Sequence, residues 1–292
     1  KQAFSDYKAH VAVDFHEYRP YRRDFTKMST FGVTGCYDVM FLYSGNLNVP
    51  ENLRNYTKDV FVKNASAALD SNQLSTHEYF SESKVIGAIE FHQGSLNSRS
   101  SATSYALSNT ISTLVEVRGV GIGKTSFKRR TNAAFLVASS YLKTAYNRVN
   151  EVKEVLAEAS RKREEAVVSS KTEVTEKPLT FIDLEKEEKI DIPVRIKEAW
   201  FAKSVLTRKR PTAYLILPEY KTLAEKLRIL GVHVDSLEMA KSLETETYRV
   251  TDYLQDAEKF EEVNRQEVST TLSTTTREFP KGTFIVQMDQ PR

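Results

Sequence analysis

Val11-Ala12-Val13-Asp14-Phe15-His16-Glu17-Tyr18-Arg19-Pro20 decides the fold class of this chain. Val11 to Phe15 is a short β-branched and aromatic run, the pattern of a buried strand. The carboxyl end of a strand in an open α/β sheet is where such folds gather chemistry. Side chains two apart share a strand face, so Asp14 and His16 fall on one side. An imidazole there is a candidate metal ligand, with the neighbouring carboxylate to orient it or take its proton. A strand-terminal histidine bonded to solvent or backbone is the plainer alternative.

The chain has 292 residues, 40% of them hydrophobic and 28% charged, enough apolar material for two domains of ordinary size. No apolar run approaches the roughly 20 residues that cross a bilayer, so no membrane span is expected. Lys1 to His10 is polar and leads straight into a strand, with no initiator Met and no signal-peptide core, which suggests a mature or cut product. A net charge of +3 is too small to imply a nucleic-acid partner. The basic clusters Arg19/Arg22/Arg23, Lys128/Arg129/Arg130 and Arg208/Lys209/Arg210 sit in no recognition-helix or RNA-binding signature and read as solvated or substrate-facing charge. Cys36 is the single cysteine, which excludes an internal disulfide and a thiolate zinc cluster, and a buried structural thiol is expected.

Beyond His16, the polar and aromatic stretch Glu17 to Thr34 has the character of an active-site rim. Val39 to Tyr43 reads as a strand, and Pro50-Glu51 opens a helix whose apolar positions run from Leu53 to Leu69. Val85 to Phe91 is strand-like, and Gln93 to Ser104, rich in Gly, Ser and Asn, reads as a mobile loop.

The second informative stretch is Ile111-Ser112-Thr113-Leu114-Val115-Glu116-Val117-Arg118-Gly119-Val120-Gly121-Ile122-Gly123. Its first half is a buried-strand signal interrupted by Glu116, and a buried carboxylate without a partner would cost several kcal/mol or raise its pKa. Glu116 therefore calls for a cation, a metal or a catalytic duty, or else a structural salt bridge to Arg118 on the same face. The glycines at 119, 121 and 123 lack the spacing of a dinucleotide or Walker loop, and nucleotide binding is not expected.

From Ser126 a long helix is predicted, with Ala133, Ala134, Leu136, Val137, Tyr141, Leu142 and Ala145 on an apolar face that should pack on the sheet. Past Val149 it turns highly charged and is expected to protrude into solvent or bridge to a second domain, with the boundary near Ser169 to Lys171. This gives a domain over 1–170 and a smaller β-rich module over 171–292. In that module Thr180–Leu184, Ile190–Trp200, Thr212–Leu217, Tyr248–Leu254, Val268–Thr276 and Thr283–Met288 read as strands, and a helix opens at Pro218 and ends at Gly231. His233, between valines on an expected strand, reads as a core or edge histidine.

Together, AVDFHEYRP and LVEVRGVGIG resemble the second half of a zinc carboxypeptidase of the carboxypeptidase A-like superfamily. RPTAYLILPEY, LGVHVDSL, ETYRV and FPKGTFIVQMDQP, over Pro211 to Pro291, resemble the region that follows the peptidase domain in a group of bacterial members. The resemblance covers most of the chain. It implies an α/β, mixed-sheet partial domain of the zinc-exopeptidase kind, ending in the long charged helix and followed by the β-rich domain. It further implies that His16 completes a His, Glu, His zinc site and that Glu116, in its Glu-x-Arg context, is the general base of peptide hydrolysis. Tyr18 and Arg19 would line substrate subsites, and Tyr105 would stand for the family's mobile tyrosine. The substrate would be a peptide or a peptidoglycan peptide, and the location periplasmic or secreted.

No histidine here is followed three residues on by Glu, so the family's upstream His-x-x-Glu ligands and arginine elements are absent. Under the resemblance, the missing N-terminal half of the same protein supplies them and this chain alone is inactive. The alternative is a complete, non-catalytic peptide- or glycan-binding module on a degenerate peptidase scaffold.

Overall fold

A computed structural model describes residues 2–85, 88–163, 165–260 and 262–290. Backbone contacts divide them into a larger unit over 3–210 and a smaller one over 211–290. In the larger unit, helix α1 (Gln2–Tyr7) precedes strands β1 (Val11–Tyr18), β2 (Val33–Gly35) and β3 (Val39–Tyr43). Helices α2 (Glu51–Tyr56) and α3 (Lys63–Asp70) follow, joined without a break by a π-helical turn over Thr57–Val62. Strands β4 (Thr76–Glu78), β5 (Phe80–Val85) and β6 (Ala88–Gln93), helix α4 (Ser101–Leu107) and strand β7 (Ile111–Arg118) come next. Helices α5 (Phe127–Asn147) and α6 (Val149–Arg161) then lead to β8 (Ala166–Lys171), β9 (Val174–Asp183), β10 (Lys189–Glu198) and β11 (Lys203–Arg208).

The sheet that carries both informative stretches has the order β1-β7-β3-β4 and is mixed: β1 runs parallel to β7, and β7 antiparallel to β3. The alternation of its residues sets the layers. Val39, Phe41, Tyr43, Ile111, Val115 and Val117 pack against α2, α3, α5 and α6 through Leu53, Phe61, Leu69, Val137, Tyr141 and Leu156. On the opposite face Leu42 and Leu114 pack on Ala102 of α4. The uninterrupted burial of Val39–Tyr43 follows from this two-sided cover. A second sheet, β2-β9-β10-β6-β5, closes over an aromatic core of Phe25, Phe80, Phe91 and Phe181, with Phe25 edge-on to Phe181 at 5.3 Å.

Five expectations are corrected. Leu142 of α5, read on the packed face, is 73% exposed. The segment past Val149 does not protrude: Val152, Leu156 and Ala159 of α6 are buried in the main core, spaced three and four apart among its charges. A boundary near 170 would cut the second sheet, because β9 and β10 pair with β2 and β6 and belong to the larger unit. The loop read over Gln93 to Ser104 contains a helix from Ser101, and the single strand read over Val85 to Phe91 lies across two antiparallel strands, with Ile86 and Gly87 outside the described residues.

In the smaller unit, strands β12 (Ala213–Ile216), β13 (Asp235–Ser236) and β16 (Phe284–Gln287) form a sheet in the order β12-β16-β13. Helix α7 (Lys221–Ile229) covers it through Ala224 beside Val234 and Val286. Strands β14 (Lys241–Phe260) and β15 (Val263–Phe279) make a long antiparallel ribbon. His233 is exposed in a connection rather than on a strand. Mixed α/β layers followed by a β-rich region match the fold class read from sequence. Among the described residues no helix is long and apolar enough to cross a membrane.

Candidate active site

The parallel pairing of β1 with β7 places His16 opposite Glu116 and Asp14 opposite Leu114. Neighbouring strands lie about 4.8 Å apart, and residues in register share a face. Asp14, His16 and Glu116 therefore stand together on the face that α4 covers, while Val11, Val13, Val115 and Val117 turn to the other helices. The alternation of apolar and polar residues along both strands produces this separation.

His16 Nε2 lies 3.1 Å from Asp14 Oδ2. Nδ1 has no hydrogen-bond partner among the described residues, so a proton held on Nε2 toward the carboxylate would leave Nδ1 to offer its lone pair. Glu116 is half-buried, and its Oε2 is a buried atom without a hydrogen-bond partner. Burial raises its pKa; the charges of His16 and Arg22 pull it back, and Asp14 pushes it up again. A carboxylate poised above its ordinary range is a better proton acceptor than a solvated one.

The structural alternative for Glu116 was an ion pair with Arg118. Arg118 instead donates from Nε to the carbonyl of Gly35 at 3.1 Å. The arginine whose field reaches Glu116 is Arg22, which also donates from Nη1 to Glu82 Oε2 at 2.8 Å and whose charge reaches Tyr79. Tyr79 is pushed up by burial and by the Glu116 charge. Arg22, Tyr79 and Glu82 thus border the site, and sequence reasoning did not single them out. The only trace was the membership of Arg22 in a basic cluster downstream of His16.

Of the residues assigned to substrate, Tyr18 is corrected. It is buried in the aromatic core, its hydroxyl donates to the Tyr37 carbonyl, and burial drives its pKa up, so it supports the end of β1 from within. Arg19 is exposed just beyond β1. Tyr105 is on α4, the helix covering the site's face of the sheet, with its ring stacked on Phe4 at 4.1 Å. Among the described residues no hydrogen bond or ring contact joins it to Glu116.

In the glycine loop after β7, Gly119 is required by packing, whereas Gly121 and Gly123 have positive φ and open space. A Cβ at Gly119 would sit 2.3 Å from the Glu17 carboxyl carbon, and Arg130 ties Glu17, at 3.0 Å from its Nε, to the Gly123 carbonyl, at 2.8 Å from its Nη1. Cys36, half-buried, donates its thiol to the Thr180 carbonyl at 3.2 Å, consistent with a structural role.

Among the described residues no group of three His, Cys, Asp or Glu side chains is arranged to hold a metal ion. The donors fit one side of a zinc site: an oriented imidazole with a free nitrogen, and across the strand a desolvated carboxylate with an unpartnered oxygen. The remaining ligands are not among them.

The chain is similar to fungal proteins named for carboxypeptidase activity. A "probable carboxypeptidase 2" of Trichophyton verrucosum is 28% identical over 300 residues, covering 99% of this chain and 56% of that protein. A "probable carboxypeptidase 2" of Arthroderma benhamiae is 27% identical over 299 residues, with 99% and 56% covered. A "carboxypeptidase 2" of Trichophyton rubrum is 27% identical over 303 residues, with 99% and 54% covered. The chain spans about half the length of the curated relatives it matches. No family model matches the chain, and no solved structure does.

Proposed function

We propose that this chain is the part of a zinc metallocarboxypeptidase that carries one metal ligand, His16, and the general base, Glu116. The observation that carries the reading is the cross-strand pair itself: an imidazole oriented by Asp14 faces, one strand away, a buried carboxylate oxygen with nothing bonded to it. Relatives named carboxypeptidase, and twice as long, support both the peptidase assignment and a source for the missing ligands.

His16 would hold zinc through Nδ1, together with ligands outside these 292 residues, and zinc bound there supplies Lewis acidity to the scissile carbonyl and to water. Asp14 keeps the ring in the required tautomer. Glu116 accepts the proton of the attacking water at Oε2 and returns it to the amine of the departing C-terminal residue. The charges of His16 and then Arg22 oppose the rise that burial imposes on Glu116. The chain alone would be inactive, since one imidazole does not retain zinc.

The test is release of C-terminal residues from a peptide by the full-length protein, with a C-terminally amidated peptide as control. Release from the free-acid peptide that stops on chelation and returns with zinc supports the reading. Peptide binding without release would favour a non-catalytic module on the same scaffold.

A further inference from the structure

Strands β14 and β15 pair with each other and with no other described strand, as a ribbon of 20 and 17 residues. A two-stranded ribbon is marginal in water unless one of its faces is packed. The edge of β14 is irregular, with register shifts between Val250 and Asp252 and between Gln255 and Lys259, and such bulges discourage a third strand. Packing therefore falls to a face. Register partners share a face, and successive residues alternate between the two. One face carries the hydroxyls of Thr245, Thr247, Ser269, Thr271 and Ser273, with Leu243 and Leu254 set far apart among them. The other carries Tyr248 opposite Leu272, Val250 opposite Thr270 and Tyr253 opposite Val268, a contiguous block whose five apolar side chains are 48–55% exposed.

Charge is graded along that same face. On the root side of the apolar block stand Glu246, Glu244 and Glu278, in register with Thr274, Thr276 and Ser242, and all three carboxylates are exposed. On the tip side stand Gln255 with Gln266, then Lys259 with Asn264. The Lys259 ammonium is 61% exposed and lies 3.9 Å from Glu262, itself 94% exposed, a contact too loose to neutralise it. Both register shifts insert residues into β14, so distances are counted on β15. Asn264 lies six residues before Thr270, and Thr276, the partner of Glu244, lies six after it. The middle of the apolar block is therefore equidistant from a cation and from the centre of the acidic group.

We propose that this face of the ribbon binds the same face of a second copy, antiparallel, across a two-fold axis at the Val250/Thr270 pair. The rotation lays apolar block on apolar block and brings each Lys259 over Glu244 of the other copy, so the ion pair forms twice. A parallel arrangement would stack Glu244, Glu246 and Glu278 on their own counterparts, like charge on like. The eight register pairs from Ser242/Glu278 to Lys259/Asn264 supply sixteen residues per copy. At the usual density of about 20–30 residues per 800 Å² on each side, they bury about 500 Å² per copy and about 1,000 Å² in all, the size at which specific interfaces begin. The charge pattern is what selects a second copy: a face with its cation and its carboxylates at equal distances on either side of an apolar centre is complementary to itself.

Sedimentation of the full-length protein over a concentration series tests this, with circular dichroism to check that each variant is folded. The expected result is a monomer–dimer equilibrium. Val250→Glu, at an exposed position, raises the dimer dissociation constant by about 100-fold or more, because it sets two carboxylates against each other at the axis. Lys259→Glu and Glu244→Lys each weaken the dimer by about five- to tenfold, the effect of an exposed ion pair counted twice, and the two together restore it. A monomer at every concentration overturns the proposal, as does a dimer indifferent to Val250→Glu or charge reversals that fail to rescue each other. So does a monomer that Val250→Glu unfolds, which would mean that other parts of the longer polypeptide already cover this face. None of these readouts depends on zinc or turnover, so their failure leaves the peptidase reading intact.

Discussion

Glu116→Gln separates a catalytic carboxylate from a structural one. If Glu116 were one partner of a buried ion pair, its loss would strand the other charge and cost about 3–5 kcal/mol. For a chain of this size that is a fall in melting temperature of about 6–20 °C. The structure predicts otherwise, because Oε2 has no hydrogen-bond partner to lose and burial already disfavours the charge. The substitution keeps the side-chain shape and removes a desolvated charge, so the melting temperature at neutral pH stays level or rises. The sign of the pH dependence follows from linkage. A carboxylate whose folded pKa is raised binds more protons in the folded state, so its contribution to stability falls as pH climbs from the ordinary carboxylate value through the raised one. That component disappears in Glu116→Gln. In the full-length protein the same change removes the proton acceptor and lowers kcat by about 10²–10⁴-fold, equivalent to about 3–5 kcal/mol of barrier. Thermal melts over a pH series and steady-state hydrolysis give both numbers. A large drop in melting temperature with turnover preserved would refute the reasoning.

Asp38 provides a contrasting pH signature. Burial opposes its ionisation, but the Arg129 guanidinium at 2.6 and 2.8 Å and the Ser75 amide and hydroxyl hold its pKa below the usual carboxylate value. Its stabilisation is present above the unfolded value and is lost as pH falls through the depressed one, so Asp38→Asn should flatten the acid limb of a urea-midpoint profile. Leu156→Ala should cost about 2–5 kcal/mol in urea unfolding, since Leu156 is buried in the main core; a change within about 0.5 kcal/mol would mean that α6 does not pack there.

The two strands that carry the site were legible because their signals are local. Val11 to Phe15 and Ile111 to Val117 are β-branched runs, and a charge set into each is visible without knowing the partner strand. The sequence also places Asp14 on the same face as His16, and the 3.1 Å contact agrees. The pairing of β1 with β7, a hundred residues apart, is a non-local fact that periodicity does not contain. Arg22 escaped notice for the same reason: its distinction is a half-buried position between Glu82 and Glu116, set by β5 and β7. Tyr18 was misread because a tyrosine beside a charged strand end looks solvent-facing, while the second sheet, built partly from β9 and β10, encloses it. The domain boundary was drawn too early because the pairing of β9 with β2 and of β10 with β6 is likewise non-local.

The central claim is that His16 and Glu116 flank one hydrolytic zinc centre in different capacities, and metal content of the purified full-length protein measures it most directly. The account predicts about one zinc per molecule, lost in His16→Ala and kept in Glu116→Gln. Zinc retained at full stoichiometry in His16→Ala, or lost equally in Glu116→Gln, would contradict it.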